Sequence, residues 1–352
     1  MGYRRPVGTR TRLVLLFGGR SAEHDVSCVS ARHVAAAADK DRFEVVALGI
    51  TRAGQWRLAE LTDPLPDRLD ADGLAVTPAE IFAETDTVVF PLIHGPMGED
   101  GTIQGLLEVA DVPYVGSGVL ASAMCMDKPM AKLVCARHGL PQCRYRTASA
   151  DDPPEAVAEQ AIAELGLPLF VKPANMGSSV GVSRSTTEFE TVKALEAAAQ
   201  YDESLIIEEA VTGQEIEVSV LGNRDPKASV PGEIVPGADF YDYADKYLAD
   251  GAQLLVPAHI PEAAAQEAQR LAVSAYRALR CEGMARVDFL YEPDGRGMLL
   301  SEINTIPGFT PISMYPKLWQ ASGLAYPQLI ETLVDLAVER YERRVQHRRT
   351  DR

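Results

Sequence analysis

The sequence predicts an α/β protein of two or three domains that opens on a parallel sheet. Three observations predict it. The chain has 352 residues, more than one simple core accommodates. Apolar runs of strand length alternate with segments of helical period. In the first third, each run leads into glycine and a helix-start signal, as when a strand feeds a turn and a crossover helix.

TRLVLLFGGRSAEHDVSCVSARHVAAAA reads as strand, glycine-rich turn and helix. FEVVALGIT is a second strand and TDTVVFPLIHG a third, and PLPDRLDADGLAVTP is a surface excursion between them. This first unit ends near Val119, after VPYVGSGV. DKPMAKLVCARHGL is an amphipathic helix closed by Gly139 and followed by Pro141. PLFVKP, SLIIEEAV and EIEVSVLG read as strands, with the helix TTEFETVKALEAAAQ between the first two, and make a compact second unit over roughly 120–215. From about 216 the chain carries GEIVPG and the polar-aromatic loop DFYDYADKYLADGAQ. The helix EAAAQEAQRLAVSAYRALR and the strands MARVDFLYE and GMLLSEINT follow. The charged tail ERYERRVQHRRTDR is a helix end or a frayed terminus and receives no function.

The apolar fraction of 46% and charged fraction of 24% are ordinary for a soluble globular chain. A net charge of −16 argues against nucleic acid or an anionic membrane as the main partner. It leaves phosphorylated small molecules open, because a local site can be basic on an acidic protein. Cys28, Cys125, Cys135, Cys143 and Cys281 are odd in number and match no zinc spacing, so they read as reduced thiols of a cytoplasmic protein. No apolar run reaches the ~18 residues of a membrane span, and Leu13 to Phe17 is too short for a signal peptide.

Several stretches carry chemistry. FGGRSAEHDVS lies between a strand and a helix, where backbone amides face an anion. It is not GxGxxG, which excludes a dinucleotide site. Glu23 is either a carboxylate favoured by the helix dipole or a counter-charge for a substrate ammonium. In LIHGPMGEDGTIQG, His94 sits at a strand's carboxyl end, where ligands bind in parallel sheets. In KPANMGSSVGV, Lys172 ends an apolar strand, and Gly177, Ser178, Ser179 and Gly181 offer N–H and O–H donors at low steric cost. That is a phosphate cradle, though not a P-loop, since the glycines follow the lysine. Lys128 supplies a second cation. Glu208, Glu209 and Glu215 are placed either to take ribose hydroxyls and an adenine amino group or to face solvent.

The last stretch is the most informative. RVDFLY puts Arg286 and Asp288 on one face of a strand, and SEINTIPGFTP does the same for Glu302 and Asn304. Uncompensated, such groups on half-buried strands would cost several kcal/mol. Hard oxygens of this kind suit Mg²⁺ between protein and nucleotide phosphates. The alternative is a buried ionic network without a metal.

Together FGGRSAEHDVS, HGPMGEDGTIQG, DKPMAK, LFVKPANMGSSVGV, IIEEAVTGQEIEV, DFYDYADKY, GMARVDFL and EINTIPGFTPISMYP resemble, in family order from about 13 to 335, the D-alanine–D-alanine ligases of the ATP-grasp superfamily. The resemblance implies an ATP-grasp fold of three α/β domains: 1–120, 121–215, and 216–352 with a mobile loop at 239–251. ATP would lie between the sheets of the central and C-terminal domains. Lys128, Lys172 and Ser179 would bind its phosphates, and Glu208, Glu209 and Glu215 its adenine or ribose. Asp288, Glu302 and Asn304 would bind two Mg²⁺ or Mn²⁺ ions. Glu23 would hold the ammonium of the first D-alanine, with His94 nearby. Ser313 and Lys246 would clasp the carboxylate of the second, bordered by Met314. Ser178 and Tyr247 would join Glu23 in a network closing the loop, while Arg286 and the amide of Gly308 stabilise the tetrahedral oxyanion. Tyr247 favours an amine over a hydroxyl nucleophile, leaving D-serine as the alternative second substrate. A homodimer, and a role in wall synthesis or in self-protection against a wall-directed antibiotic, are further implications. An ATP-grasp ligase of another substrate class would lack Glu23 in its motif and the DYADKY loop. A non-catalytic nucleotide binder would tolerate loss of Arg286 or Asn304.

Overall fold

The computed structural model describes residues 10–236 and 253–349. The loop expected at 239–251, with Lys246 and Tyr247, lies outside the described residues.

The first sheet comprises β1 (Thr11–Gly18), β2 (Phe43–Ile50), β3 (Trp56–Ala59), β4 (Leu74–Ala75) and β5 (Thr87–Pro91) in the order β4-β3-β2-β1-β5. β1 is parallel to both β2 and β5, as expected. β3 and β4 extend the sheet antiparallel, which the sequence reading did not foresee. β4 lies within the stretch read as a surface excursion, whose Leu69 is also buried in the core. β1 is buried on both faces because covering elements lie on each side. Leu13, Leu15 and Phe17 face one core, with Ala31 and Val34 of α1 (His24–Ala37); Val14 and Leu16 face another. That second core contains Phe82 of α2 (Pro78–Phe82) and Ile103 and Leu107 of α3 (Thr102–Val109). This is the two-residue strand period read directly in packing.

α4 (Val119–Met126) and α5 (Lys128–Arg137) lead out of this unit. Asp127 caps α5 by accepting the Met130 amide at 2.9 Å, with Pro129 in the first turn. The cap fixes Lys128 as the first helical residue. A second sheet follows, antiparallel in the order β6-β9-β7-β8, from β6 (Tyr145–Ser149), β7 (Leu169–Pro173), β8 (Ser183–Ser185) and β9 (Ser204–Glu209). α6 (Pro154–Leu165) and α7 (Glu188–Ala198) cover one face, burying Leu169, Val171, Leu205 and Ile207. Phe170, Lys172 and Glu208 alternate onto the other face.

The third sheet runs β13-β12-β10-β14-β15, with β11 beside β10. Its strands are β10 (Gln214–Gly222), β11 (Lys227–Ala228), β12 (Gly232–Val235), β13 (Gln253–Leu255), β14 (Gly283–Glu292) and β15 (Gly297–Asn304). EIEVSVLG, read with the strands of the second unit, is instead β10 of this sheet and pairs with β14 along nine residues. Its Ile216, Val218 and Val220 pack on the amphipathic α8 (Glu262–Ala278), which sends Glu215 and Glu217 to the opposite face. α9 (Met314–Ala321) and α10 (Tyr326–Arg349) complete the described chain. Leu329, Ile330, Leu333 and Val334 of α10 return to the core of the first sheet. The charged tail is therefore not inert. Arg340 is 2% exposed, donates to the carbonyls of Gly116 and Tyr114, and lies 4.0 Å from the Tyr114 ring centroid.

No helix among the described residues is long and apolar enough to cross a membrane. All five cysteines are free and buried.

Candidate active site

The uncovered faces of the second and third sheets border one cleft of about 650 Å³. Lys128, Lys172, Ser178, Ser179, Glu208 and Glu209 line it from one side, and Glu215, Arg286, Asp288 and Glu302 from the other.

On the first side, Lys172 on β7 faces Ile206 of β9, which makes Glu208 its diagonal neighbour on the same face. Their charges meet at 2.5 Å, and the second Glu208 oxygen meets Lys132 of α5 at 2.7 Å. Burial opposes the charge on Lys172, but the Glu208 carboxylate more than offsets it, and the ammonium is held above its ordinary range. Lys128 differs. Burial pulls its pKa down, though Glu302 opposes this, and its ammonium donates to the Met176 carbonyl at 2.6 Å. That bond ties the start of α5 to the glycine-rich loop. Glu209 faces the rim, paired with Arg144 and Arg296.

The loop itself turns through Ser178 and Ser179 at positive φ, 50° and 58°. Few non-glycine residues adopt this conformation outside sites that require it. The turn brings the Ser178 hydroxyl onto the Glu23 carboxylate, to which it donates. Glu23 stands just ahead of α1, at its N-cap. Its carboxylate sits where two glycines leave room: a Cβ at Gly95 would lie 2.5 Å from Oε2, and one at Gly177 3.2 Å. Three separate motifs thus converge on one carboxylate.

His94 is buried, with Nδ1 at 3.1 Å from the Ile306 carbonyl and Nε2 at 3.3 Å from the Ser30 hydroxyl. Burial lowers its pKa, which favours a neutral ring. The Ser313 hydroxyl accepts from the Thr310 amide at 3.0 Å and faces Gly308, where a Cβ would approach it to 2.6 Å. Met314 is 4% exposed and packs with Ile234 and Leu318. His94, Gly308, Ser313 and Met314 do not line the main cleft.

On the third sheet, Asp288 stands directly opposite Glu302, and Arg286 opposite Asn304. The register shifts next to this pair, so Ser301 is an extra residue on β15. The bulge explains why MLLSEIN does not alternate: Leu300 and Ile303 both reach the core, leaving Ser301 and Glu302 to the cleft. The Arg286 fork donates to both Asp288 oxygens, at 2.8 and 2.7 Å, and Asn304 donates to Asp288 at 2.9 Å. Two carboxylates and an amide oxygen from adjacent strands are a donor set that fits a hard divalent cation.

Three residues escaped the sequence reading. Lys132 lies in DKPMAK one helical turn after Lys128, Glu217 in IIEEAVTGQEIEV one strand period after Glu215, and Glu99 in HGPMGEDGTIQG. Glu99 accepts from the Gly95 amide at 2.7 Å, and burial, with Glu23 adding to it, pushes its carboxyl up to about 8. A raised carboxyl contributes stability below its unfolded value of 4.5 that is lost as pH rises through about 8. Glu99→Gln, neutral throughout, should therefore gain steadily on the parent as pH rises from about 5.5 to 8. Thermal midpoints of both proteins across that range check this. A difference that does not change with pH refutes it.

Two antiparallel sheets closing on a cleft, with lysines on one and carboxylates on the other, define an ATP-grasp protein. The family models described as D-ala D-ala ligase N-terminus and C-terminus match residues 12–117 and 134–335. The chain belongs to the D-alanine–D-alanine ligase family. It is 45% identical to D-alanine–D-alanine ligase A of Chromobacterium violaceum, over 94% of this chain and 96% of that protein. It is 46% identical to D-alanine–D-alanine ligase of Shouchella clausii, over 95% and 96%. Among solved structures it is similar to the D-alanine-D-alanine ligase from Coxiella burnetii, with a TM-score of 0.82, 34% identity and 97% of each chain covered. It is also similar to VanG D-Ala:D-Ser ligase from Enterococcus faecalis, with a TM-score of 0.79, 32% identity, and 94% of this chain and 100% of that one covered.

Proposed function

We propose that the protein joins two D-alanines into D-alanyl-D-alanine, with ATP converted to ADP and phosphate, for peptidoglycan precursors. One observation carries the reading. Lys128 and Lys172 face Asp288 and Glu302 across a single cleft, beside the Glu23–Ser178 bond.

Lys128, Lys172 and the Ser179 turn bind the phosphates, and Glu208, Glu209 and Glu215 border the nucleoside. Asp288, Glu302 and Asn304 would hold Mg²⁺ or Mn²⁺, two ions in our reading. When bound, such ions neutralise phosphate charge and orient the transferred phosphoryl group. Glu23 holds the ammonium of the first D-alanine, whose carboxylate attacks the γ-phosphorus. The product is an acyl phosphate and ADP, and the protein's contribution to this step is positioning and charge. The ammonium of the second D-alanine passes a proton to water or a phosphate oxygen, and the neutral amine attacks the acyl carbon. Arg286 and the Gly308 amide face the oxyanion, an effect worth roughly 3 kcal/mol per donor. Collapse expels phosphate. Ser313 and Lys246 bind the second carboxylate. Tyr247, expected beside the Glu23–Ser178 bond, lies outside the described residues; water must be kept from the site, since it would hydrolyse the acyl phosphate. We divide the chain into domains 1–120, 121–215 and 216–352, and expect a cytoplasmic homodimer.

The likeness to a D-Ala:D-Ser ligase favours D-serine as a second reading for the second substrate. Phosphate release and product mass, measured with D-alanine alone and with D-serine or D-lactate added, separate the two. D-alanine alone should support release with D-alanyl-D-alanine as product. Release driven by L-amino acids or bicarbonate, without dipeptide, would falsify the reading.

A further inference from the structure

We propose that Glu217 is a positioning residue that keeps the Arg286 guanidinium aimed while Asp288 serves the cation; this rests on the ligase reading above. The third sheet sets Glu217, Asp288 and Glu302 directly opposite one another on β10, β14 and β15. The next row is Ser219, Arg286 and Asn304. Arg286 therefore stands beside two carboxylates at once. Its fork holds Asp288 through two bonds, and its Nε is also 3.1 Å from Oε2 of Glu217.

Asp288 has two duties that compete. Its oxygens are engaged by Arg286 and Asn304, yet they belong to the donor set that fits a divalent ion. An oxygen turned toward a cation accepts a weaker bond from a guanidinium, since both positive charges draw on the same lone pairs. Water is a poor substitute here, because Glu217 is 6% exposed and the Arg286 side chain 21%. A guanidinium held through Asp288 alone would swing once that hold weakened. Glu217 prevents that: its carboxylate, on the neighbouring strand and 3.1 Å from Nε, attracts the guanidinium and can take over the Nε hydrogen that now goes to Asp288. The planar fork then keeps its remaining N–H groups directed into the cleft.

The test uses the full-length enzyme and Glu217→Gln, which keeps the shape and loses the charge, with Glu217→Asp as the conservative companion. Steady-state kinetics should give a kcat for Glu217→Gln lower by about a hundredfold, with KM for ATP within about threefold and partial recovery in Glu217→Asp. Mn²⁺ binding with ADP, followed by electron paramagnetic resonance, should be unchanged in both. The Arg286 Nε–H signal in ¹⁵N NMR, assigned by its loss in Arg286→Lys, should persist in the parent when Mg²⁺ and ADP are added. In Glu217→Gln it should vanish into solvent exchange. Weakened Mn²⁺ binding would make Glu217 a ligand and overturn the proposal, as would a persistent Nε–H signal in Glu217→Gln. The NMR and Mn²⁺ readouts need no dipeptide formation. A parent enzyme that makes no dipeptide therefore sinks the ligase reading while these two still decide the role of Glu217. If Glu217→Gln does not fold, Glu217→Met, which fills a similar volume without charge, takes its place with the same two readouts.

Discussion

Glu302→Gln is expected to lower turnover by about a thousandfold or more while leaving the fold intact. Glu302 stands opposite Asp288 at the bulge of β15, on the cleft face, while Leu300 and Ile303 on either side of it are held in the core. Glutamine matches the shape and can still hydrogen-bond, so the core and the sheet ladder are untouched. What it removes is one negative charge from the donor set that, in the proposed function, neutralises a cation facing polyphosphate. Glu302 is also the counter-charge that acts against the burial penalty on Lys128. On the proposed roles, one substitution thus weakens both the metal side and the lysine that faces it. The measurement is kcat in Mg²⁺ and in Mn²⁺, with far-ultraviolet circular dichroism and the thermal midpoint as the fold control. Near-normal activity in Mg²⁺ would remove Glu302 from the metal site.

The contrast between Glu302 and Lys132 marks what the sequence made legible. Asp288 and Glu302 could be read because polar residues interrupting apolar strand patterns are conspicuous, and a strand's two-residue period assigns them a face. The same period located Lys172. The parallel β1, β2 and β5 were equally plain, since continuous apolar runs followed by glycine turns have few other uses. Pairing between distant segments was not legible. EIEVSVLG reads identically whether it joins β9 or β14, because register depends on which partner the folded chain presents. Lys132 and Glu99 were missed for a related reason. One looks like the polar face of an amphipathic helix, and the other like a solvated loop residue. Each acquires its character only when Glu208, or Glu23 and the Ile306 loop, arrives from elsewhere in the chain. The tail misled in the opposite sense. Its arginines resemble a frayed end, and only the return of α10 to the first sheet buries Arg340.

Glu208→Ala should be the most destabilising change in the cleft, by about 3–5 kcal/mol, the range for breaking a buried ion pair from one side. Glu208 is 4% exposed and Lys132 3% exposed, and the carboxylate separates two ammonium groups. Burial alone would raise the Glu208 carboxyl, but Lys132 and Lys172 outweigh it and hold the group well below the carboxylate range. A depressed carboxyl gives stability that is fully present above its unfolded value near 4.5 and is lost as pH falls toward the folded value. The penalty of Glu208→Gln should accordingly be complete at pH 7 and shrink below about pH 4.5. Thermal midpoints of parent and variant at pH 7 and pH 4 test the sign. Glu208→Leu combined with Lys132→Met should recover much of the loss, because apolar groups of similar volume leave no buried charge behind, and Lys172, with 20% of its side chain exposed, can turn to solvent. Such a double variant would be folded yet deficient in nucleotide binding, since Lys172 would have lost the carboxylate that fixes its position. A double variant no more stable than Glu208→Ala would mean that shape, and not the compensation of two lysines by one carboxylate, governs this corner of the cleft.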